Sequence, residues 1–94
     1  MKIIDAKTKF LKEIKENLIN KLIIFYNPKP TLKIILDIVD DDDFYMGIFP
    51  ERYKMLLYNV ASNEKEEKYI WTKEIKILLQ TGKHRIDGYG SELL

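Results

Sequence analysis

Apolar residues recur at intervals of three and four along the first twenty positions of the chain. The set consists of Phe10, Leu11, Ile14, Leu18 and Ile19. This spacing places the apolar side chains on one face of an α-helix and leaves a mixed lysine and glutamate face for solvent. The pattern predicts an amphipathic helix from Asp5, as its N-cap, to about Asn20.

Two apolar runs follow, Leu22 to Tyr26 and Thr31 to Val39, with two prolines between them. β-branched and aromatic residues favour strands, and proline interrupts them, so the runs predict a strand, a turn and a second strand. In the second run Leu32, Ile34, Leu36 and Ile38 alternate on one face, and Ile35 and Val39 lie on the other. A strand that is apolar on both faces is expected at the centre of a sheet.

The middle of the chain predicts a turn, a third strand and a helix. Asp40 to Asp43 predict the turn, because four adjacent carboxylates repel one another, and Phe44 to Phe49 predict the strand, with a bulge at Gly47. Pro50 suits the first position of a helix over residues 50–61. Its apolar residues recur at helical spacing: Tyr53, Leu56, Leu57 and Val60. The alternation of Tyr53, Met55 and Leu57 also fits a strand.

The last third predicts a charged loop from Ser62 to Lys68 and a short strand from Tyr69 to Trp71. A final helix is expected from about Lys73 to Gln80, with Thr72 as its N-cap and Gly82 at its end. Its inward side chains are expected to be Trp71, Ile75, Leu78 and Leu79.

These elements predict a single α+β domain over residues 1–85, followed by a C-terminal tail at 86–94. We expect an antiparallel sheet of three or four strands, packed by the N-terminal helix and two further helices. The length of 94 residues suits one domain with a modest core.

Composition excludes several chemistries. The chain has no cysteine, which removes disulfides, thiolate metal sites and a cysteine nucleophile. No apolar run is long enough to cross a membrane, and the N-terminus lacks the apolar core of a signal peptide. We therefore expect a cytoplasmic protein with no membrane partner.

The net charge is +1, but the charged residues are distributed unevenly along the chain. Residues 1–36 hold eight lysines and three acids, whereas residues 37–51 hold six acids and no base. Such blocks act on association more than on folding. The acidic block predicts a solvated turn or an acidic surface that meets a basic protein, built on Asp40, Asp41, Asp42 and Asp43.

Aromatic residues stand directly beside the acids: Phe44, Tyr45, Phe49 and Tyr53. Tyrosine and phenylalanine are enriched at protein interfaces, although they also fill small cores. Together with the acids they predict a partner-binding surface. The partner is expected to be a basic protein or a second copy of this chain, because its basic N-terminal region complements the acidic block.

The function predicted from these features is a small non-enzymatic regulator or inhibitor, of the kind made by viruses, plasmids or archaea. The alternative is nucleic-acid binding through Lys29, Lys33, Lys83 and Arg85.

Enzymatic function has less support in the sequence. His84 has Asp87, Ser62 and Ser91 as companions, but at no recognised catalytic spacing, which favours an exposed loop histidine. Carboxylate ligands for a metal ion are available in the acidic block, at Asp37, Asp40 to Asp43 and Glu51. Their spacing does not match that of a calcium-binding loop. We therefore expect no enzymatic activity, no cofactor and no metal.

Overall fold

The computed structural model describes residues 3–40, 45–46 and 49–94. In chain order the elements are α1 (Ile3–Leu18), β1 (Leu22–Phe25), β2 (Thr31–Asp40), β3 (Tyr45–Met46), β4 (Phe49–Pro50), β5 (Arg52–Asn59), β6 (Glu64–Trp71), α2 (Thr72–Thr81), β7 (Lys83–Ile86) and β8 (Tyr89–Leu93). Six strands form one antiparallel sheet in the order β6-β5-β2-β1-β8-β7, while β3 and β4 pair with each other. The α+β class is confirmed, with a larger sheet and fewer helices than predicted.

Both helices pack on one face of the sheet, here called the inner face. α1 contributes Ile14 and Leu18 to the core, and α2 contributes Ile75 and Leu78. The sheet contributes buried side chains from four strands: Ile23, Phe25, Ile35, Ile38, Tyr53, Met55, Leu57 and Ile70. Each such side chain stabilises the fold by about 1.5–3 kcal/mol relative to an exposed position, so this layer holds the helices to the sheet.

The predicted apolar stripe of α1 is confirmed by the buried positions of Ile14 and Leu18. The predicted N-cap is wrong, because the helix begins at Ile3 and Asp5 lies within it. Neither helix in the described part of the chain is long and apolar enough to cross a membrane.

Strand β2 is central, as predicted, but its two faces differ from the prediction. Its pairing with β5 shifts between Ile35 and Asp37, which is the mark of a β-bulge. The backbone N–H of Ile38 donates a 2.8 Å hydrogen bond to Oδ1 of Asp37 at this point. The extra residue reverses the alternation of side chains, so Ile38 faces the core together with Ile35. Leu32 and Ile34 lie on the opposite face of the sheet, here called the outer face.

Residues 52–59 form strand β5, so the predicted helix over 50–61 is wrong. Tyr53, Met55 and Leu57 are buried at alternate positions, which is the strand pattern noted above. β5 lies between β2 and β6 and pairs with both along most of its length. These pairings satisfy the backbone groups that a helix would have satisfied locally.

The regions on either side of β5 also differ from the prediction. The expected strand over 44–49 is replaced by the two-residue strands β3 and β4, and Gly47 lies outside the described residues. The expected charged loop from Ser62 to Lys68 belongs largely to β6, which begins at Glu64.

The turn between β5 and β6 is closed by Asn59. Its Oδ1 accepts hydrogen bonds from the backbone N–H groups of Ala61 and Ser62. β6 is an edge strand, and its charged side chains protect that edge from other chains.

The segment predicted as a tail forms part of the sheet, where β8 pairs with both β1 and β7. β7 and β8 are joined by the two-residue loop Asp87-Gly88, both with positive φ, as in a type I′ turn. The Asp-Gly pair is a sequence signal for such a hairpin.

Helix α2 begins one residue earlier than predicted. Trp71 occupies the N-cap position and makes no side-chain capping bond. The hydroxyl of Thr72 instead donates a 2.6 Å hydrogen bond to the carbonyl oxygen of Pro50. The predicted end is confirmed, since Gly82 adopts a left-handed conformation and its N–H donates to the carbonyl of Leu78.

Gly90→Ala is expected to destabilise the protein strongly. The added Cβ would lie 1.9 Å from the carbonyl oxygen of His84, on a backbone with φ of +112°. We expect the free energy of unfolding to fall by about 3 kcal/mol or more, measured by urea denaturation. Gly88→Ala is the control, because its φ is also positive but no atom lies within 4 Å, and it should cost about 1–2 kcal/mol. Equal losses for the two variants would contradict this account.

Candidate functional site

Two adjoining cavities open between α2, the end of β6 and the β7–β8 hairpin. The larger has a volume of about 650 Å³ and the smaller about 250 Å³. Both are lined by Trp71, Glu74 and His84, which therefore lie between them. We call the combined space the aromatic cleft. Its walls are a helix and paired strands, so its shape is set by regular structure.

The carboxylate of Glu74 connects α2 to the hairpin. Its Oε1 accepts a 3.0 Å hydrogen bond from the hydroxyl of Ser91, which is completely buried. Nδ1 of His84 lies 3.3 Å from the same oxygen, without the geometry of a hydrogen bond, so this contact becomes an ion pair only when the imidazole is protonated. His84 and Ser91 are direct cross-strand partners on β7 and β8. The carboxylate of Glu74 thus holds β8 to the helix through Ser91, and His84 of β7 lies beside it.

This arrangement differs from a catalytic triad. In a triad the histidine lies between the serine and the acid, where it accepts the proton of the nucleophile. Here the carboxylate of Glu74 lies between Ser91 and His84, and the serine hydroxyl donates directly to it. In this cluster the serine hydroxyl is bonded to the carboxylate and not to the histidine.

His84 was predicted to be an exposed loop residue, and this is wrong. It lies on β7, half-buried, beside a carboxylate that the sequence analysis did not select. Glu74 was missed because the two residues belong to different elements, and only the packing of α2 over the hairpin brings them together. Ser62 and Asp87, the other suggested companions, lie in separate turns.

Exposed aromatic side chains line the smaller cavity. Trp71 is 51% exposed, Tyr89 is 59% exposed and Tyr69 is also exposed. Phe25 is buried and lines the same cavity, with Nζ of Lys68 4.9 Å from the centre of its ring. The prediction that Trp71 faces inward is wrong, because the chain turns into α2 at this residue. Large rings that remain exposed together in a concave site are typical of binding surfaces.

Charges of both signs surround these rings. The larger cavity is lined by Glu51 and Glu74 and by Lys73 and Lys76. On the neighbouring strand the guanidinium carbon of Arg52 lies 4.0 Å from the centre of the Tyr69 ring. In the described ranges, no group of three or more acids and histidines is arranged to hold a metal ion.

The predicted acidic surface is described only in part. Asp40 forms a 2.7 Å ion pair with Lys7, and Asp37 lies 3.5 Å from Nζ of Lys15. Lysines of α1 therefore offset the charge of these two acids. Asp41, Asp42, Asp43 and Phe44 lie outside the described residues.

The predicted aromatic anchors are also separated by the structure. Tyr45 lies on β3 and Phe49 on β4, which pair with each other. Tyr53 is only 1% exposed and belongs to the core, because its position on β5 faces the helices. Its ring is therefore not available as a surface anchor.

The residues predicted for nucleic-acid binding do not form one patch. Lys33 faces the core side, pairs with Glu66 and lies 5.5 Å from the ring centre of Phe25. Lys83 lies 3.9 Å from Glu92, and Arg85 stacks 3.8 Å from the ring centre of Tyr26. Lys29 is exposed in the turn between β1 and β2.

Comparison of the chain with protein-family models, with curated proteins and with solved structures found no significant match.

The pairing of Lys33 has a measurable consequence for Glu66. Hydrogen bonds from Lys33 and from the side-chain amide of Asn59 hold the pKa of Glu66 below its ordinary value of 4.5. A lowered pKa in the folded state means that the ionised carboxylate favours folding. This contribution is complete above pH 4.5 and is lost as the pH falls through the lower, folded-state pKa.

We expect Glu66→Gln to be less stable than the wild type at neutral pH, by less than about 1 kcal/mol because the site is open to solvent. The difference should narrow as the pH falls below 4.5. Thermal unfolding of both proteins, from neutral pH to below pH 4.5, measures this difference in stability. Glu67→Gln, at the next position on the outer face, is the control. A stability difference for Glu66→Gln that is constant with pH would refute the assignment.

Proposed function

We propose that this protein is a small non-enzymatic regulator that binds another protein through the aromatic cleft. The observation that carries the proposal is the joint exposure of Trp71 and Tyr89 at a cleft lined by Glu74 and His84. Tryptophan and tyrosine dominate the binding energy of protein interfaces, because they bury large rigid surfaces at low entropic cost.

The environment of the rings supports a protein partner over a small molecule. Both signs of charge border the larger cavity, namely Glu51 and Glu74 with Lys73 and Lys76. A rim of mixed charges around aromatic anchors is the usual anatomy of a protein interface. Because Ser91 is buried and bound to Glu74, the cleft offers no activated serine for hydrolysis.

Glu51, the last acid of the acidic block, lines the larger cavity of the cleft, which supports a basic partner. The backbone carbonyl of Glu51 accepts the N–H of Thr72 at 2.9 Å, and that of Pro50 accepts the Thr72 hydroxyl. The backbone at Pro50 and Glu51 is therefore bonded to the start of α2, at the wall of the cleft. In this proposal the rings of the cleft supply affinity, and the acids steer a basic surface towards them.

Nucleic-acid binding is the second candidate. It is supported by the same exposed rings, on which unpaired bases would stack, and by Lys68 beside them. A gel-shift assay with short single-stranded RNA and DNA at low salt separates the two functions. Phosphate-driven binding must appear under those conditions, and a shift that Trp71→Ala abolishes would favour this candidate.

Trp71→Ala and Tyr89→Ala are expected to remove partner binding. The immobilised protein is incubated with host lysate, captured proteins are quantified by mass spectrometry, and the affinity of the purified partner is then measured. Loss of an anchor ring should weaken binding by about 2 kcal/mol or more, which is a rise in the dissociation constant of at least about thirtyfold.

Val60→Ala is the matched control for these variants. Val60 is also an exposed apolar residue, but it lies in the turn between β5 and β6 and does not line the cleft. Equal affinity of the partner for all of these variants and the wild type would contradict the cleft as the binding site.

Replacement of Asp41, Asp42 and Asp43 by Asn is expected to slow association and to flatten its dependence on salt, because the steering charge is removed. Association rates of the purified partner at low and high ionic strength measure this effect. A variant with Glu13→Gln and Glu16→Gln, on the solvent face of α1, controls for net charge. An unchanged rate at low salt would exclude a role for the acids in partner recognition.

A further inference from the structure

The carboxylate of Glu74 presents one oxygen to the aromatic cleft. Its Oε1 accepts the hydrogen bond of Ser91 and lies 3.3 Å from Nδ1 of His84. Its Oε2 has no hydrogen-bond or ion-pair partner among the described residues. This oxygen is also accessible to solvent, since the buried side-chain atoms without a hydrogen bond belong to other groups. Because Glu74 lines both cavities, Oε2 is open to the cleft.

The lysines around the cleft leave the charge of this carboxylate unpaired. Lys68 lines the smaller cavity, and Lys73 and Lys76 line the larger one. In the described part of the chain none of these lysines forms an ion pair with Glu74, and His84 beside it carries a charge only when protonated. A partly buried carboxylate in this situation attracts a cation, because Coulomb interactions strengthen where water is excluded.

The position of the carboxylate is fixed before any ligand arrives. Glu74 belongs to the first turn of α2, and the hydroxyl that holds its Oε1 comes from Ser91, which is completely buried on β8. A group that is already ordered loses little conformational entropy when it binds. The Glu74→Gln side chain would keep the oxygen that accepts from Ser91 and would lose only the charge, so the charge can be tested separately from the packing.

Aromatic rings stand beside this carboxylate in the smaller cavity. Trp71 and Tyr89 are both more than half exposed and line that cavity together with Glu74. The face of an aromatic ring carries negative potential and attracts a cation within about 6 Å of its centre. One cationic group can therefore interact with the rings and with the carboxylate at the same time. An anionic group would be repelled by both.

Neighbouring rings already bind cations of the chain itself. Nζ of Lys68 lies 4.9 Å from the ring centre of Phe25, and the guanidinium carbon of Arg52 lies 4.0 Å from that of Tyr69. Phe25 and Tyr69 both line the smaller cavity. No cation of the described residues lies over the ring of Tyr89 in this way. That ring is left for a cation from outside the chain.

The size of the smaller cavity limits what can enter it. Its volume of about 250 Å³ is below the roughly 300–1,000 Å³ of pockets for drug-sized ligands, so it suits a group as small as one side chain. We propose that a lysine or arginine side chain of the partner enters this cavity, where its cation binds the carboxylate of Glu74 and the rings of Trp71 and Tyr89. This inference rests on the proposed function and names the group by which a basic partner would be recognised.

The test uses the purified full chain and end-blocked peptides Gly-Gly-X-Gly-Gly, in which X is arginine, lysine or citrulline. Citrulline has the shape of arginine but no charge. Trp71 is the only tryptophan of the chain, so its fluorescence reports binding at the cleft. At constant ionic strength we expect saturable binding of the arginine and lysine peptides. The dissociation constant of the citrulline peptide should be at least about tenfold higher.

Glu74→Gln is expected to raise the dissociation constant of the arginine peptide at least about tenfold, because it removes the charge at Oε2. Glu13→Gln, on the solvent face of α1, is the matched control, since it changes the net charge equally and should bind as the wild type does. Tyr89→Leu should also weaken binding, and Tyr89→Phe should not, because the cation requires the ring and not the hydroxyl. Circular dichroism should show that all variants are folded.

Equal affinity for the arginine and citrulline peptides would overturn the inference. So would the absence of saturable binding up to high millimolar peptide, or an unchanged affinity in both Glu74→Gln and Tyr89→Leu. If any of these results accompanies partner capture that Trp71→Ala abolishes, the inference fails and the proposed function stands. Arginine binding that depends on Glu74, with no protein captured from lysate, would reject the proposed function and support the cation site.

Discussion

The organisation of this protein depends on the path of one helix. Strands β6 and β7 lie at opposite edges of the sheet, and α2 is the segment that joins them. The helix must therefore cross the inner face, where Ile75 and Leu78 fix it in the core. This crossing forms a wall of the aromatic cleft, brings Glu74 to the hairpin and leaves the outer face without a helix.

The cleft contains a serine, a histidine and a glutamate, the residue types of a catalytic triad, but in a different arrangement. Serine, histidine and glutamate meet within hydrogen-bond range, yet the carboxylate stands at the centre and Ser91 is buried. The β7–β8 hairpin places Tyr89 at the cleft, and Trp71 lies where the chain turns into α2.

The sequence by itself determined the elements whose signals are local: the stripe of α1, the β1–β2 hairpin, the end of α2 at Gly82 and the absence of thiol chemistry. It did not distinguish helix from strand at 52–59, because Tyr53, Leu56 and Leu57 fit one period and Tyr53, Met55 and Leu57 fit the other. Only the neighbouring strands β2 and β6 decided between them. Likewise, the carboxylate beside His84 and the bare outer face arise from contacts between distant segments, and a local pattern carries no information about which segments meet.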